Sequence, residues 1–336
     1  MISNKRKSFL FAAAFVLMCA AVQPACAQDP SLSLPNPYRV IENWAKMPEG
    51  RSWGAAGGVA IDSKGNVWVF ERCGANTCAG SDAAPILEFN PSGMLVKSFG
   101  AGMFVFPHAL YIDRTDNIWA VDNDGKDGKG QQVMKFSPDG KLLLSLGTPG
   151  VTGDGPDTFN RPSGVVVAPN GDIFVADGHG GKSNARVVKF SKDGKFIKAW
   201  GQKGTAPGEF NDPHSIAMDS QGRVFVADRQ NDRIQIFDPD GKFLAEWPQF
   251  GRPSGIYIDK NDVIYVPDNL SNSSTKMRKG IRIGSAKDGR LTAFILDPVQ
   301  DPKEGSIGAE NVAVDANGNI YAAEVDRKEV KKFVRQ

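Results

Sequence analysis

An internal repeat constrains this chain more than any other feature of its 336 residues. Six times a short apolar run ends near an aspartate, turns through Gly or Asn, and gives way to a second apolar run: "GVAIDSKGNVWVF", "ALYIDRTDNIWAVD", "GVVVAPNGDIFVAD", "SIAMDSQGRVFVAD", "GIYIDKNDVIYVPD" and "NVAVDANGNIYAAE". Two β-rich runs joined by turn residues are a hairpin signature. Third segments such as "VMKFSPDG" and "IQIFDPDG", then fourth segments such as "KFIKAW", follow in most copies. The marker positions Asp62, Asp113, Ala168, Asp219, Asp259 and Asp315 stand 51, 55, 51, 40 and 56 residues apart. Four strands in about 40 to 55 residues is the size of one propeller blade. The spacing therefore predicts an all-β chain, a six-bladed β-propeller. Its last copy stops after a third strand, "EVKKFV", while "YRVIENW", Tyr38 to Trp44, resembles a fourth strand from the other end of the chain. Pairing the two would close the ring and cover an exposed sheet edge.

Ahead of the repeat the chain reads as an export signal. A basic start at Lys5, Arg6 and Lys7, an apolar run from Phe9 to Val22 and the small residues Ala25-Cys26-Ala27 predict cleavage after Ala27. This divides the chain into a signal peptide over 1–27, an N-terminal linker over 28–34 and the propeller over 35–336. The expected location is the periplasm or the extracellular space. No later segment resembles a membrane span. Removing the three basic residues leaves 37 Lys and Arg against 38 Asp and Glu, a balance with no pull toward nucleic acid. The mature chain is read as a monomer. It keeps two cysteines, Cys73 and Cys78 in "RCGANTC", and an oxidising compartment favours a disulfide between them. A two-cysteine metal site is the alternative.

Blade geometry turns spacing into angle. The residue five before each marker enters the innermost strand at one mouth of the central channel. The six occupants are Gly57, His108, Ser163, His214, Ser254 and Glu310. Metal-ligating types fall in blades two, four and six, which stand about 120° apart in a six-fold ring. Two imidazoles and a carboxylate with an open position form a recognised catalytic zinc set, so His108, His214 and Glu310 are the expected metal ligands. The competing reading makes them polar fillers of a narrow mouth. Residues following each second strand surround the same mouth: Arg72, Asn123, His179, Arg229, Asn269 and Val325. Of these, Arg72 and Arg229 suit an anionic substrate and His179 suits proton transfer, although the charges of "DRQNDRI" could simply pair across their own turn. "GGKS" lacks the glycine spacing of a phosphate loop, and "DNDGKDG" lacks the acidic twelfth position of a calcium loop.

With these residues on view, the chain resembles the NHL-repeat propellers. More specifically, it resembles the peptidyl-α-hydroxyglycine α-amidating lyase family through "VFERCG", "FPHALYID", "ADGHGG", "GEFNDPHSIAMD" and "VADRQNDRIQIF". The resemblance implies a six-bladed propeller with zinc, or another divalent transition metal, in the central channel. The implied reaction releases glyoxylate from a C-terminal α-hydroxyglycine and leaves an amide. Two of the family's three histidine ligands map onto His108 and His214. The arginine roles map onto Arg72 and Arg229, and the tyrosine base position holds His179. Departures are Glu310 at the third ligand position, Gly308 in place of a methionine, and Asn311 where the family carries an acid that helps bind a structural calcium. The expected partner is a peptide or small molecule with a terminal carboxylate. Two other classes stay open: a lactonase-like metal hydrolase using the same ion, and a non-enzymatic binding propeller.

Overall fold

The computed structural model describes Met1 and residues 29–271, 277–300 and 308–336. The expected signal peptide and its cysteines, Cys19 and Cys26, lie outside these described residues apart from Met1. Alternating apolar strands and Gly or Asp turns fold into six four-stranded antiparallel sheets. Five blades are continuous in sequence: 56–99, 107–146, 162–200, 213–247 and 257–296. The sixth is composite, in the order Ala309–Val314, Ile320–Glu324, Glu329–Arg335 and then Tyr38–Ile41. Tyr38 lies opposite Arg335 and Ile41 opposite Lys332, so the N-terminal strand closes the ring as its sequence suggested. It is shorter than Tyr38 to Trp44. Trp44 has left the ladder and packs edge-on against Tyr321, with ring centroids 4.8 Å apart. Residues 29–34, expected as a linker, lie against blade five, where the buried Asp29 carboxylate meets the Arg282 guanidinium at 2.7 Å.

The core is distributed as apolar wedges between adjacent blades. Between blades one and two, for example, Trp68, Phe70, Phe104, Ile118 and Phe136 are all buried. Burying one such side chain is worth roughly 2–3 kcal/mol. Because every wedge takes residues from two blades, the ring locks as a whole. Blade five is the irregular one: its innermost strand is reduced to Tyr257–Ile258, and Ser254 stands in the approach to it.

One repeated feature fixes the channel mouth. The second strand of each blade carries a buried acid, at its last residue in five blades (Glu71, Asp177, Asp228, Asp268 and Glu324) and at Asp122 within Ile118–Lys126 in blade two. In five blades this carboxylate accepts a backbone N–H from the loop leading into the blade's innermost strand. The donors are Gly54, then Val105 with Phe106, Asn160, Asn211 and Arg252. These loops would otherwise carry buried, unpaired N–H groups. The acids therefore make a rigid rim from which the first residues of the inner strands project.

Candidate metal centre

His108 is the second residue of the strand Pro107–Ile112, and His214 the second residue of Pro213–Met218. Both are buried. His108 Nδ1 lies 2.8 Å from the carbonyl oxygen of Ser163, and His214 Nδ1 lies 2.6 Å from that of Ser254. A carbonyl can only accept, so each Nδ1 carries the proton. In a neutral ring this leaves Nε2 with a bare lone pair, and neither Nε2 has a hydrogen-bond partner. Each imidazole is thus oriented by the backbone carbonyl of the residue at the equivalent position in the next blade, Ser163 or Ser254. Gly57 in blade one also has a reason: a Cβ there would sit 2.6 Å from the His108 carbonyl oxygen.

Glu310, second in Ala309–Val314, closes the third side. Its Oε1 lies 3.2 Å from His214 Nε2 and 3.8 Å from His108 Nε2. Asn269 Nδ2 donates to the other oxygen, Oε2, at 2.5 Å, and Ser254 Oγ in turn donates to Asn269 Oδ1. Burial alone would push the Glu310 carboxyl up, but His214, Arg229 and His108 outweigh it and hold it well below the usual range. Burial, and then the neighbouring His179 and His214, hold the His108 imidazole well below its ordinary value. At His108 a lone pair therefore faces the Glu310 carboxylate, an arrangement that a shared cation relieves. Donors bound to one zinc at about 2.0–2.2 Å stand roughly 3.3 Å apart in a tetrahedron. The two separations from Glu310 Oε1 bracket that value, so the residues fit a metal ion.

The three expected ligands are brought together, and a fourth group joins them. His179, in the loop after blade three's second strand, completes a cluster with His108, His214 and Glu310 whose donor atoms all lie within 4.8 Å of one another. Its ring centroid is 4.6 Å from that of His108 and 4.8 Å from that of His214. His179 Nδ1 is buried and unpartnered. Burial, then His214 and Arg229, lower its pKa to about 3.

Both arginines act electrostatically on Glu310 in the same centre. Arg72 is buried, with Nε donating to the Pro107 carbonyl and Nη1 to Asn76 Oδ1; its guanidinium lies 3.9 Å above the Phe106 ring. Burial lowers its pKa to about 10, while Glu310 and Asp326 pull the other way. Arg229 gives Nε and Nη2 to Asp212 Oδ2, at 2.9 and 2.8 Å. Its charge is therefore paired across the mouth, with a residue outside its own turn. Arg72 Nη2 and Arg229 Nη1 have no hydrogen bond among the described residues. Cys73 and Cys78 form a disulfide, and its small ring contains the Asn76 that holds Arg72.

Sequence reasoning missed Asp212, whose Oδ1 also accepts the Gly180 N–H at 3.0 Å, tying the His179 loop to Arg229. Its only signal was an acid two residues before His214 in "FNDPH". Asn311, at the position of the family's calcium-binding acid, lines instead a cavity of about 430 Å³ in the other half of the channel, together with Tyr111, Tyr257 and Arg114.

Comparison with known proteins places these features. A family model described as a 6-bladed beta-propeller matches residues 158–283. NHL repeat-containing protein 3 of Homo sapiens is 36% identical over 200 residues, covering 58% of this chain and 54% of that protein. Peptidyl-alpha-hydroxyglycine alpha-amidating lyase 2 of Drosophila melanogaster is 30% identical over 223 residues, covering 60% of this chain and 51% of that protein. The chain thus spans about half the length of these curated relatives. Among solved structures, a streptogramin B lyase superposes with a TM-score of 0.58 at 16% identity, covering 89% of this chain and 98% of that one. A gluconolactonase from Xanthomonas campestris gives 0.58 at 15% identity, covering 94% and 99%. At such identities the structural likeness speaks to fold alone.

Proposed function

We propose that this NHL-type six-bladed propeller, whose relatives include the α-hydroxyglycine amidating lyases, is an exported metal-dependent carbon–nitrogen lyase acting on α-hydroxyglycine-type substrates. One observation carries the reading: two imidazoles pinned through Nδ1 point bare Nε2 atoms at one carboxylate oxygen, 3.2 and 3.8 Å away, and the charges of Arg72 and Arg229 act on that same carboxylate. The disulfide fits export, and among the described residues no helix is long and apolar enough to cross a membrane.

A zinc-like ion held by His108 Nε2, His214 Nε2 and Glu310 Oε1 would supply Lewis acidity at the substrate's oxygens. Arg72 Nη2 and Arg229 Nη1 bind the terminal carboxylate and stabilise the charge that develops beside it. Asp212 keeps Arg229 aimed, and Asn76 does the same for Arg72. His179 Nδ1 takes the proton of the α-hydroxyl group. The O–H electron pair becomes the C=O of glyoxylate, the C–N bond breaks with its pair moving to nitrogen, and that nitrogen receives the proton back from His179. The products are an amide and glyoxylate, with no co-reactant consumed.

The test uses purified protein, N-benzoyl-α-hydroxyglycine and elemental analysis. About one divalent ion per chain and steady glyoxylate release are expected, with both lost in His214→Ala. Full metal occupancy in that variant removes the assignment. Acid release from a lactone without glyoxylate release would instead mark a metal hydrolase.

A further inference from the structure

The four groups of the cluster are not held alike. His108 and His214 sit on strands and each spends Nδ1 on a backbone carbonyl. Glu310 sits on a strand and spends Oε2 on Asn269. Hydrogen bonds of this kind fix the orientation of a metal ligand. His179 has none. It is half-buried, lies in the loop between Asp177 and Arg186, and neither ring nitrogen has a hydrogen-bond partner among the described residues. The next two residues, Gly180 and Gly181, take φ of +62° and +58°, a conformation open to glycine with little strain. The loop's backbone is held by Gly180 N to Asp212 Oδ1, by Gly178 N to the Arg161 carbonyl and by Lys182 and Asn184 to Asn160, while the His179 ring itself is not hydrogen-bonded among the described residues. Yet one ring nitrogen of His179 lies within 4.8 Å of a donor atom of each of the other three groups, and its Nδ1 is buried without a hydrogen-bond partner.

Zinc closed by four protein donors is structural, whereas zinc with three donors and an open position is catalytic. A centre with three pinned donors and one unpinned donor can take both forms. We infer that His179 is a displaceable fourth ligand. In the substrate-free protein its Nδ1 completes the coordination of the ion, and it gives up that place when an α-hydroxy carboxylate arrives. The released Nδ1, freed beside the incoming hydroxyl group, then becomes the base. A tyrosine at this position is a base only in its rarer anionic form, whereas neutral imidazole offers the same lone pair for both duties. The inference rests on the metal reading above and adds a resting state to it.

The experiment titrates cobalt(II) and zinc(II) into metal-free wild type, His179→Ala, His179→Gln and His214→Ala, in competition with a chelator. Both His179 variants should bind the ion at least about tenfold more weakly than wild type, in keeping with the loss of a ligand. His214→Ala should bind more weakly still. Affinity within threefold of wild type in both His179 variants overturns the ligand role and leaves the metal reading intact; no binding by wild type overturns both. Displacement is read separately by diethyl pyrocarbonate modification mapped by mass spectrometry. In the cobalt-loaded protein His179 should be protected, and glycolate should expose it. Protection that persists under saturating glycolate overturns displacement.

Discussion

The inner strand of blade two, Pro107–Ile112, carries chemistry at both ends, with His108 at the channel mouth and Asp113 just past the opposite end, and the two are finished differently. Asp113 is satisfied by its own turn. Its oxygens accept from Thr115 N at 2.9 Å, Asn117 N at 3.1 Å and Trp119 Nε1 at 3.0 Å, all within six residues along the chain. Asp219 and Asp315 repeat the pattern with Arg223 and with Asn319 and Tyr321. At the mouth, partners come from other blades and polar atoms are left bare: His108 Nε2, His214 Nε2 and His179 Nδ1. A polar group whose needs are met within one turn is explained by folding alone. Buried atoms from three blades that share a centre and stay unsatisfied call for something folding does not supply.

The strongest way to break this contrast is to exchange one residue at each end. His108→Ala should lower glyoxylate release by roughly 10³-fold, about 4 kcal/mol of transition-state stabilisation. The metal-free protein should lose no more than about 1–2 kcal/mol of stability, since one hydrogen bond is given up. Asp113→Ala should do the reverse, costing about 2 kcal/mol in urea unfolding while leaving kcat of the folded fraction unchanged. Activity that survives His108→Ala, or collapses in Asp113→Ala, erases the distinction.

Acid should separate the ends along the pH axis. Burial and its neighbours lower His179 from 6.5 to about 3, so between those values the unfolded chain binds the extra proton. Stability of the metal-free protein must then fall as pH drops below 6.5. At Asp113 burial pushes the carboxyl up, but Thr115 and Trp119 outweigh it and set the pKa at about 2, below the ordinary 3.8. Its contribution is present above 3.8 and lost as pH falls through 2. His179→Gln should make the upper limb of a stability–pH curve shallower, the remainder coming from His108, and Asp113→Ala should do so for the lower one. A single limb untouched by either variant contradicts the assignment.

The fold was legible because a repeat carries its own register. Once six markers are aligned, ring angle follows, and with it the convergence of His108, His214 and Glu310. His179 was harder to place. It sits in a loop whose length varies between blades, so the alignment suggested a base and could not reveal ligand reach. The supporting groups were hidden for a different reason. Ser163 and Ser254 orient the imidazoles through backbone carbonyls, which every residue possesses. The rim acids were visible as "VFE", "AVD", "VAD" and "VPD" at the strand ends. They read as punctuation because the N–H groups they accept belong to loops as far as 17 residues earlier.

The finest test lies within the rim itself. Asp228 accepts from Asn211 N, Asn231, Arg233 and Gln235, whereas among the described residues Asp122 accepts only from Val105 N at 2.9 Å and Phe106 N at 2.6 Å, with no ion-pair partner. Burial pushes the Asp122 carboxyl up to about 7 against those two N–H bonds. Here the folded protein holds the proton more tightly, so this group's contribution falls as pH rises from 3.8 to 7, the opposite sense to His179. Asp122→Asn keeps one carbonyl oxygen for the loop, gives up the acceptor for the second N–H, and abolishes the titration. It should cost about 1–3 kcal/mol at pH 8, while the same exchange at Asp228 removes one of the two carboxylates paired with Arg233 and costs more. Because Val105 and Phe106 lead directly into His108, equal metal affinity in Asp122→Asn would show that the rim positions the ligand through hydrogen bonds that need no charge. A weakened affinity would show that the carboxylate's charge itself matters to the centre.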